Sequence, residues 1–394
     1  MFQQKYSGLV CRRVFAAALL ATLFATLSAA LLATVSPTLT AAAPALAGAQ
    51  TGAGAAAPHA APGDPFVDPL DGEAVMHADT TKRPLMAVAL AGQRLIAVGM
   101  RGLIVGSSDG GKTWSQAQAP VRSDLLALSF PDAEHGWITG HDGVILHSAD
   151  GGRTWNKQFD GRAAQQALID HYKTRIAAGE AALKPYLDQL LLNYKAGPSL
   201  PLIGVWFKDA LHGIAVGPFG MAIATDDGGK HWAPMLERIE NPGFLHLQSI
   251  SEVAGDVFIA AEKGTIFKLD HDTGVFRPVE TGYAGSLFGV TGNGDVLIAY
   301  GLKGTVYRSL DHGASWTRVD SPLHGLVTAA AYVAQKRAFV LVTAAGEVAL
   351  ADETAHEFHV LKATRPVAAT GVQPRSAHEI VVCGLDGVHA VALP

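Results

Sequence analysis

Seven glycines recur along most of this chain at nearly fixed spacing: Gly102, Gly143, Gly220, Gly264, Gly304, Gly346 and Gly387. The intervals are 41, 77, 44, 40, 42 and 41 residues, and the long one equals a single period plus an insertion of about 36. A glycine that returns in step with a short repeat marks a backbone position every unit must shape alike. Seven units of this length imply a propeller or a solenoid.

The second unit shows what each repeat builds. Leu125–Phe130, Trp137–Gly140 and Gly143–Ser148 are short apolar runs separated by turns at Glu134-His135-Gly136 and His141-Asp142, and a fourth run follows Trp155. Four short strands joined by three tight turns make one antiparallel blade. With 43 glycines and only 16% charged residues, the composition suits such a fold better than a helical one. The fold class expected is therefore all-β: a seven-bladed β-propeller with four-stranded blades. The last unit ends at Pro394 after three strands. The segment Glu73–His77 offers a fourth, so closure by an N-terminal strand is expected.

The third turn of the unit has its own signature. Ser107–Trp114 and Ser148–Trp155 fit S-x-D-x-G-x-T-W, with weaker copies at Thr225–Trp232 and Ser309–Trp316. In such an Asp-box the aspartate accepts hydrogen bonds from the turn's own amides, glycine supplies the positive φ, and the tryptophan packs between sheets. Asp109, Trp114, Asp150, Trp155, Asp227, Trp232, Asp311 and Trp316 are accordingly read as structural. Phe276 and Phe358 hold the aromatic place in units without the full box.

The insertion falls between the second and third units, about residues 156–199. Leu168, Tyr172, Ile176, Leu183, Leu187, Leu190 and Tyr194 step by helical spacing, and Gly179 and Pro185 divide the stripe into two helices. A hairpin packed on the propeller's side is expected, with an amphipathic docking element as the alternative.

Residues 1–47 read as a signal peptide or signal anchor: Lys5, Arg12 and Arg13 precede an uncharged run, and Ala45-Leu46-Ala47 fits a cleavage site. An Ala/Gly/Pro tether at 48–65 leads to the propeller at 66–394. Export to the periplasm follows, with membrane tethering if the segment is retained. After the leader only Cys383 remains, in an apolar run that suits a buried small hydrophobe. A net charge of −5 argues against nucleic acid as partner. No zinc-protease, C-x-x-C or phosphate-loop motif occurs, so no metal, cofactor or small-molecule substrate is expected.

In a four-stranded blade, the turn between strands two and three shares a face with the loop leading into the next blade. That rule gathers Lys82, Arg83, Arg101, Arg122, Arg238, Lys263, Lys303 and Arg365 on one face, interleaved with Asp142, Glu237, Glu240 and Asp386. Tyr283, Phe219 and His324 join them. Arginine's planar fork suits carboxylate and phosphate, and aromatics among arginines are common at interfaces.

The repeated core at Asp132–Gly140 and Asp209–Gly217, each followed by an Asp-box, resembles the photosystem II stability and assembly factor family. The resemblance implies an exported seven-bladed propeller without enzymatic activity that assists a membrane protein through an arginine-rich face. The positions corresponding to that face are Arg83, Arg101, Arg122, Arg238 and Arg365. The helical insertion and Ala-rich leader look like the proteobacterial branch, whose members resemble accessory proteins of resistance-nodulation-division transporters. The alternatives are a sialidase-like glycoside hydrolase, which shares Asp-boxes, and a carbohydrate- or surface-binding module. Against the hydrolase, Phe276-Arg277-Pro278-Val279 lacks the expected isoleucine, and no carboxylate pair is evident.

Overall fold

A computed structural model describes residues 67–361 and 367–394, and in it all seven repeat glycines have positive φ, between 64° and 110°. The leader, the whole tether and Arg365 lie outside the described residues. Close approach explains the glycines as much as backbone angle does. A Cβ on Gly102 would meet the Val121 carbonyl oxygen at 2.1 Å, one on Gly304 the Leu323 oxygen at 1.8 Å, and one on Gly387 the Thr81 oxygen at 1.7 Å. Each of these carbonyls belongs to a segment entering the next blade, which therefore lies against the turn.

The strands form seven separate antiparallel sheets in simple sequential order, six of four strands and a last one of three. The first strands, beginning at Leu85, Leu125, Gly204, Leu247, Leu287, Val327 and Ala369, neighbour one another and ring the central axis. Six of them open with a register shift against the second strand, as between Leu125 and Ala127. Such bulges add the local twist a closed ring needs. The second strands are sandwiched between blades. Gly136–Gly140, Leu297–Gly301 and Ala338–Thr343 are buried at every residue, which is why they read as unbroken apolar runs. Between blades the core is aromatic in places, with Trp137 stacked on Phe207 at 3.6 Å between centroids.

Ring closure differs from the expectation. Glu73–His77 does not pair with the last blade and is not a strand. It lies along the outer edge of the first blade, where the Ala74 N–H donates to the Ala119 carbonyl and the Gln116 and Gln118 side-chain amides donate to the carbonyls of Val75 and Ala74. Leu70 and Ala74 are buried there, which fixes the segment in place. The last blade is met instead by Thr81, whose carbonyl accepts from the Val388 N–H at 3.0 Å. Inside the ring, the Thr370 hydroxyl donates to the Leu85 carbonyl at 2.8 Å and ties the seventh blade to the first.

The insertion forms two helices, α1 (Gly161–Ala177) and α2 (Lys184–Asn193), joined through the positive-φ Gly179 and a short turn. Asp160 caps α1 by accepting from the amides of Arg162 and Ala163. Pro185 sits in the first turn of α2, where its missing N–H costs nothing. Leu168, Tyr172, Leu183, Leu190 and Tyr194 are buried as the stripe requires. Asn156–Phe159, at the start of the interval, is the fourth strand of the second blade.

Candidate partner-binding face

The turns between second and third strands repeat one uncommon feature. Arg101, Asp142, Phe219, Lys263 and Lys303, each directly before the repeat glycine of its blade, sit in the left-handed region with φ of 53° to 58°. A non-glycine residue there costs roughly 1–2 kcal/mol. The first five blades repeat this strain on one rim.

The backbone around these residues is tightly tied while their side chains stay free. The Arg101 N–H donates to Asp124 Oδ1 at 2.7 Å, yet Arg101 is exposed and forms no ion pair among the described residues. Lys263 and Lys303 are likewise exposed and form no ion pair among the described residues. The carboxylates of the same face are engaged inside the protein. Asp142 Oδ2 accepts from the Ser123 hydroxyl at 2.7 Å, and Glu262 accepts from the His246 N–H at 2.9 Å. Glu347 accepts from the Gly325 N–H at 2.9 Å, while Glu237 and Glu240 pair with Arg175 and Arg277 at 2.5 and 2.8 Å. Asp386 faces His389 at 3.4 Å. The neutralising acids read from the sequence are thus occupied by neighbours.

Backbone bonds show which cations come together. The Met100 N–H donates to the Pro84 carbonyl and the Gly102 N–H to the Ser123 carbonyl, so the segments bearing Arg83, Arg101 and Arg122 are joined. Arg122 Nε donates to the Glu73 carbonyl at 2.8 Å and Arg83 Nε to the Asp79 carbonyl at 3.1 Å, which leaves part of each guanidinium to solvent. Lys82 pairs with Asp79 at 3.4 Å. Farther round, Tyr283 lies between the lysine turns: its carbonyl abuts Gly264, and its hydroxyl donates to the Leu302 carbonyl at 3.4 Å. Arg238 is exposed on the loop between the third and fourth blades and forms no ion pair among the described residues. The structure therefore resolves the basic set into an arginine trio at the first blade and a lysine pair at the fourth and fifth.

The helical insertion belongs to this face rather than to the flank alone. It leaves and re-enters through an inter-blade loop, and α2 reaches the third blade's turn, where the Gln189 and Asn193 amides donate to the Phe219 carbonyl at 3.5 and 3.4 Å. The Phe219 ring is 46% exposed and packs 4.6 Å from His246. Leu191 and Leu192 of α2 are exposed as well. The face thus carries the exposed Phe219 beside the third blade's turn as well as its cations.

The opposite face holds the Asp-boxes, whose aspartates accept hydrogen bonds from within their own turns. Asp150 Oδ1 accepts from Ser148 Oγ and the amides of Arg153 and Thr154, and Oδ2 accepts from Thr154 Oγ1. Asp109, Asp227 and Asp311 repeat the arrangement with their own neighbours. The Trp114 and Trp155 indoles donate to the carbonyls of Gly111 and Gly152, whereas the Trp232 and Trp316 indole nitrogens are buried with no hydrogen-bond partner among the described residues. Two further aspartates were missed in the sequence. Asp352 accepts from the amides of His356 and Glu357 at 2.7 Å, and Asp270 from that of Asp272 at 3.0 Å, each in a third turn lacking the full box. The signal was an aspartate with threonine two or three residues on. Cys383 is buried, and burial pushes its thiol up to about 12, as for an inert packing residue.

A model of the family described as photosynthesis system II assembly factor YCF48 matches residues 78–163, the first two blades and the entry to α1. No curated protein matches the chain. A solved structure described as YCF48 bound to D1 peptide is 16% identical, covers 80% of this chain and 94% of its own, and has a TM-score of 0.58. YCF48 from Cyanidioschyzon merolae is also 16% identical, covering 79% and 95% with a TM-score of 0.57. The WD40 propeller of Doa1, at 11% identity and a TM-score of 0.55, covers 82% and 96%. At these identities the solved structures speak for the fold alone. Together with the sequence match over 78–163, they place this chain as a seven-bladed propeller similar to the photosystem II assembly factor family.

Proposed function

We propose that this protein is a non-enzymatic assembly or accessory factor that holds a segment of a membrane protein on its loop face. The observation that carries this reading is the set of strained cations at Arg101, Lys263 and Lys303, which form no ion pair among the described residues, on turns whose own carboxylates are occupied. A related propeller, YCF48, is described as bound to a D1 peptide, which supports a polypeptide as the ligand class. Export, a periplasmic site of action and service to a resistance-nodulation-division transporter are the finer parts of the proposal; they rest on the leader and the insertion.

Replacing Arg101, Lys263 and Lys303 together by glycine separates binding from folding. Glycine relieves the left-handed strain of roughly 1–2 kcal/mol per position, against an unfolded-state entropy cost of about 0.4–1 kcal/mol. The melting temperature should therefore hold or rise, while capture of membrane proteins from the host's solubilised membranes falls. Unchanged capture would overturn the basic-face reading. Turnover of a fluorogenic sialoside by the wild-type protein would overturn the non-enzymatic one.

A further inference from the structure

On the Asp-box face, between the first two blades, lies a cavity of about 350 Å³ lined by Gln93, Arg94, Ser108, Ala133, Gly151 and Arg153. Arg94 breaks the repeat. Blades two and three carry His135 and His212 at the corresponding place, each held by an aspartate three residues earlier, Asp132 and Asp209. In the first blade the histidine becomes Arg94 and the aspartate becomes Ala91, so the cation has lost its local counter-charge.

The one other carboxylate that acts on it, Asp150, is engaged within its own turn. Arg94 Nη1 donates to Ser108 Oγ at 2.6 Å, and the guanidinium lies over Gly106, where a Cβ would meet Nη2 at 2.3 Å. Its Nε is buried with no hydrogen-bond partner. Arg153 donates to the Asp150 backbone carbonyl at 2.5 Å, and neither arginine forms an ion pair among the described residues. The carboxylate acting on Arg94 is Asp150, but its oxygens are taken up by Ser148, Thr154 and the box amides. Burial and the charge of Arg153 both hold the Arg94 guanidinium below its ordinary value. Two like charges lining one cavity, neither held by a carboxylate, are an arrangement that an anion completes.

We propose that this cavity binds an oxyanionic group, with Arg94 and Arg153 as its cationic partners and Ser108 and Gln93 at its edge. The site is independent of the loop face and lies on the opposite side of the ring. A cavity of this size takes a small phosphate- or carboxylate-bearing solute. His, Cys, Asp and Glu are absent from its described lining, so the ligand is held rather than transformed.

Calorimetric titration with inorganic phosphate, sulfate and acetate at fixed ionic strength, with chloride as control, tests this. Saturable heat is expected with phosphate or sulfate for a tetrahedral oxyanion, or with acetate for a planar carboxylate. Arg153→Gln, at an exposed position, and Arg94→Gln should each weaken it by about tenfold or more. Arg94→Lys keeps the charge without the fork and should fall between. Heat no larger than chloride's, or equal heat in wild type and both glutamine variants, overturns the proposal.

Discussion

Asp-box aspartates show how much a single residue can organise when all its partners lie within a few positions. Asp311 is held down to about 2 by the Ser315 and Ser309 hydroxyls and the Ser315 amide. Asp150 is also held at about 2: burial pushes it upward, but the Thr154 and Ser148 hydroxyls and the amides of Thr154 and Arg153 outweigh it. Asp227 sits at about 2 as well, where bonds from His231 and Thr225 overcome burial. These values lie below the ordinary 3.8, so each carboxylate contributes stability in full above pH 3.8, and that contribution is lost as pH falls toward about 2. The melting temperature should therefore drop across that interval, and Asp150→Asn should make the drop shallower. A parallel acid profile for wild type and variant would show that the box carboxylate does not drive it. Such boxes were legible in the sequence because donor and acceptor are at most four residues apart. Arg101, Lys263 and Lys303 were legible as cations on one face, yet not as strained residues, because their φ is set by loops arriving from the next blade.

At the scale of the element, the helical hairpin was readable from its stripe, but its seat was not. Tyr172 is fully buried; its hydroxyl donates to Glu237 Oε2 at 2.5 Å and accepts from the Leu236 N–H at 3.1 Å. Arg175 Nη1 donates to the other Glu237 oxygen at 2.5 Å. These partners are 62 to 65 residues away, beyond what periodicity can report. The same limit explains Glu73–His77: its pattern allowed a strand, while the glutamine side chains that hold it lie about forty residues on, at Gln116 and Gln118. Tyr172→Phe removes one donor from Glu237 and the acceptor of the Leu236 amide, at a cost of about 1–3 kcal/mol. Faster amide exchange is expected over residues 161–193, with the seven blades unchanged. Uniformly faster exchange around the ring would instead make the hairpin part of one cooperative unit with the propeller.

For the whole molecule, the decisive contact is the one that joins its two ends. Six blades own four strands and need no help from distant chain, whereas the seventh has three and meets the N-terminal segment at Thr81. Closure therefore rests on the Val388 to Thr81 backbone bond, the Thr370 to Leu85 bond spanning 285 residues, and packing of the seventh blade on the first. Contacts of such separation form against a large loop-closure entropy, so they are the last a folding chain can secure. Gly387 tests this directly. Its φ is +110°, and a Cβ there would lie 1.7 Å from the Thr81 oxygen. Gly197 has the same φ of +110° and open space around it. Alanine at Gly197 thus measures backbone strain by itself, and alanine at Gly387 measures that strain plus displacement of the closing segment. Gly387→Ala should destabilise by about 1–3 kcal/mol more than Gly197→Ala. It should also speed proteolysis near Thr81, because a displaced closing segment exposes the free edge of the seventh blade. Equal losses of melting temperature in the two variants would mean that the Thr81 contact adds nothing to the ring, and that packing of the seventh blade on the first closes it alone.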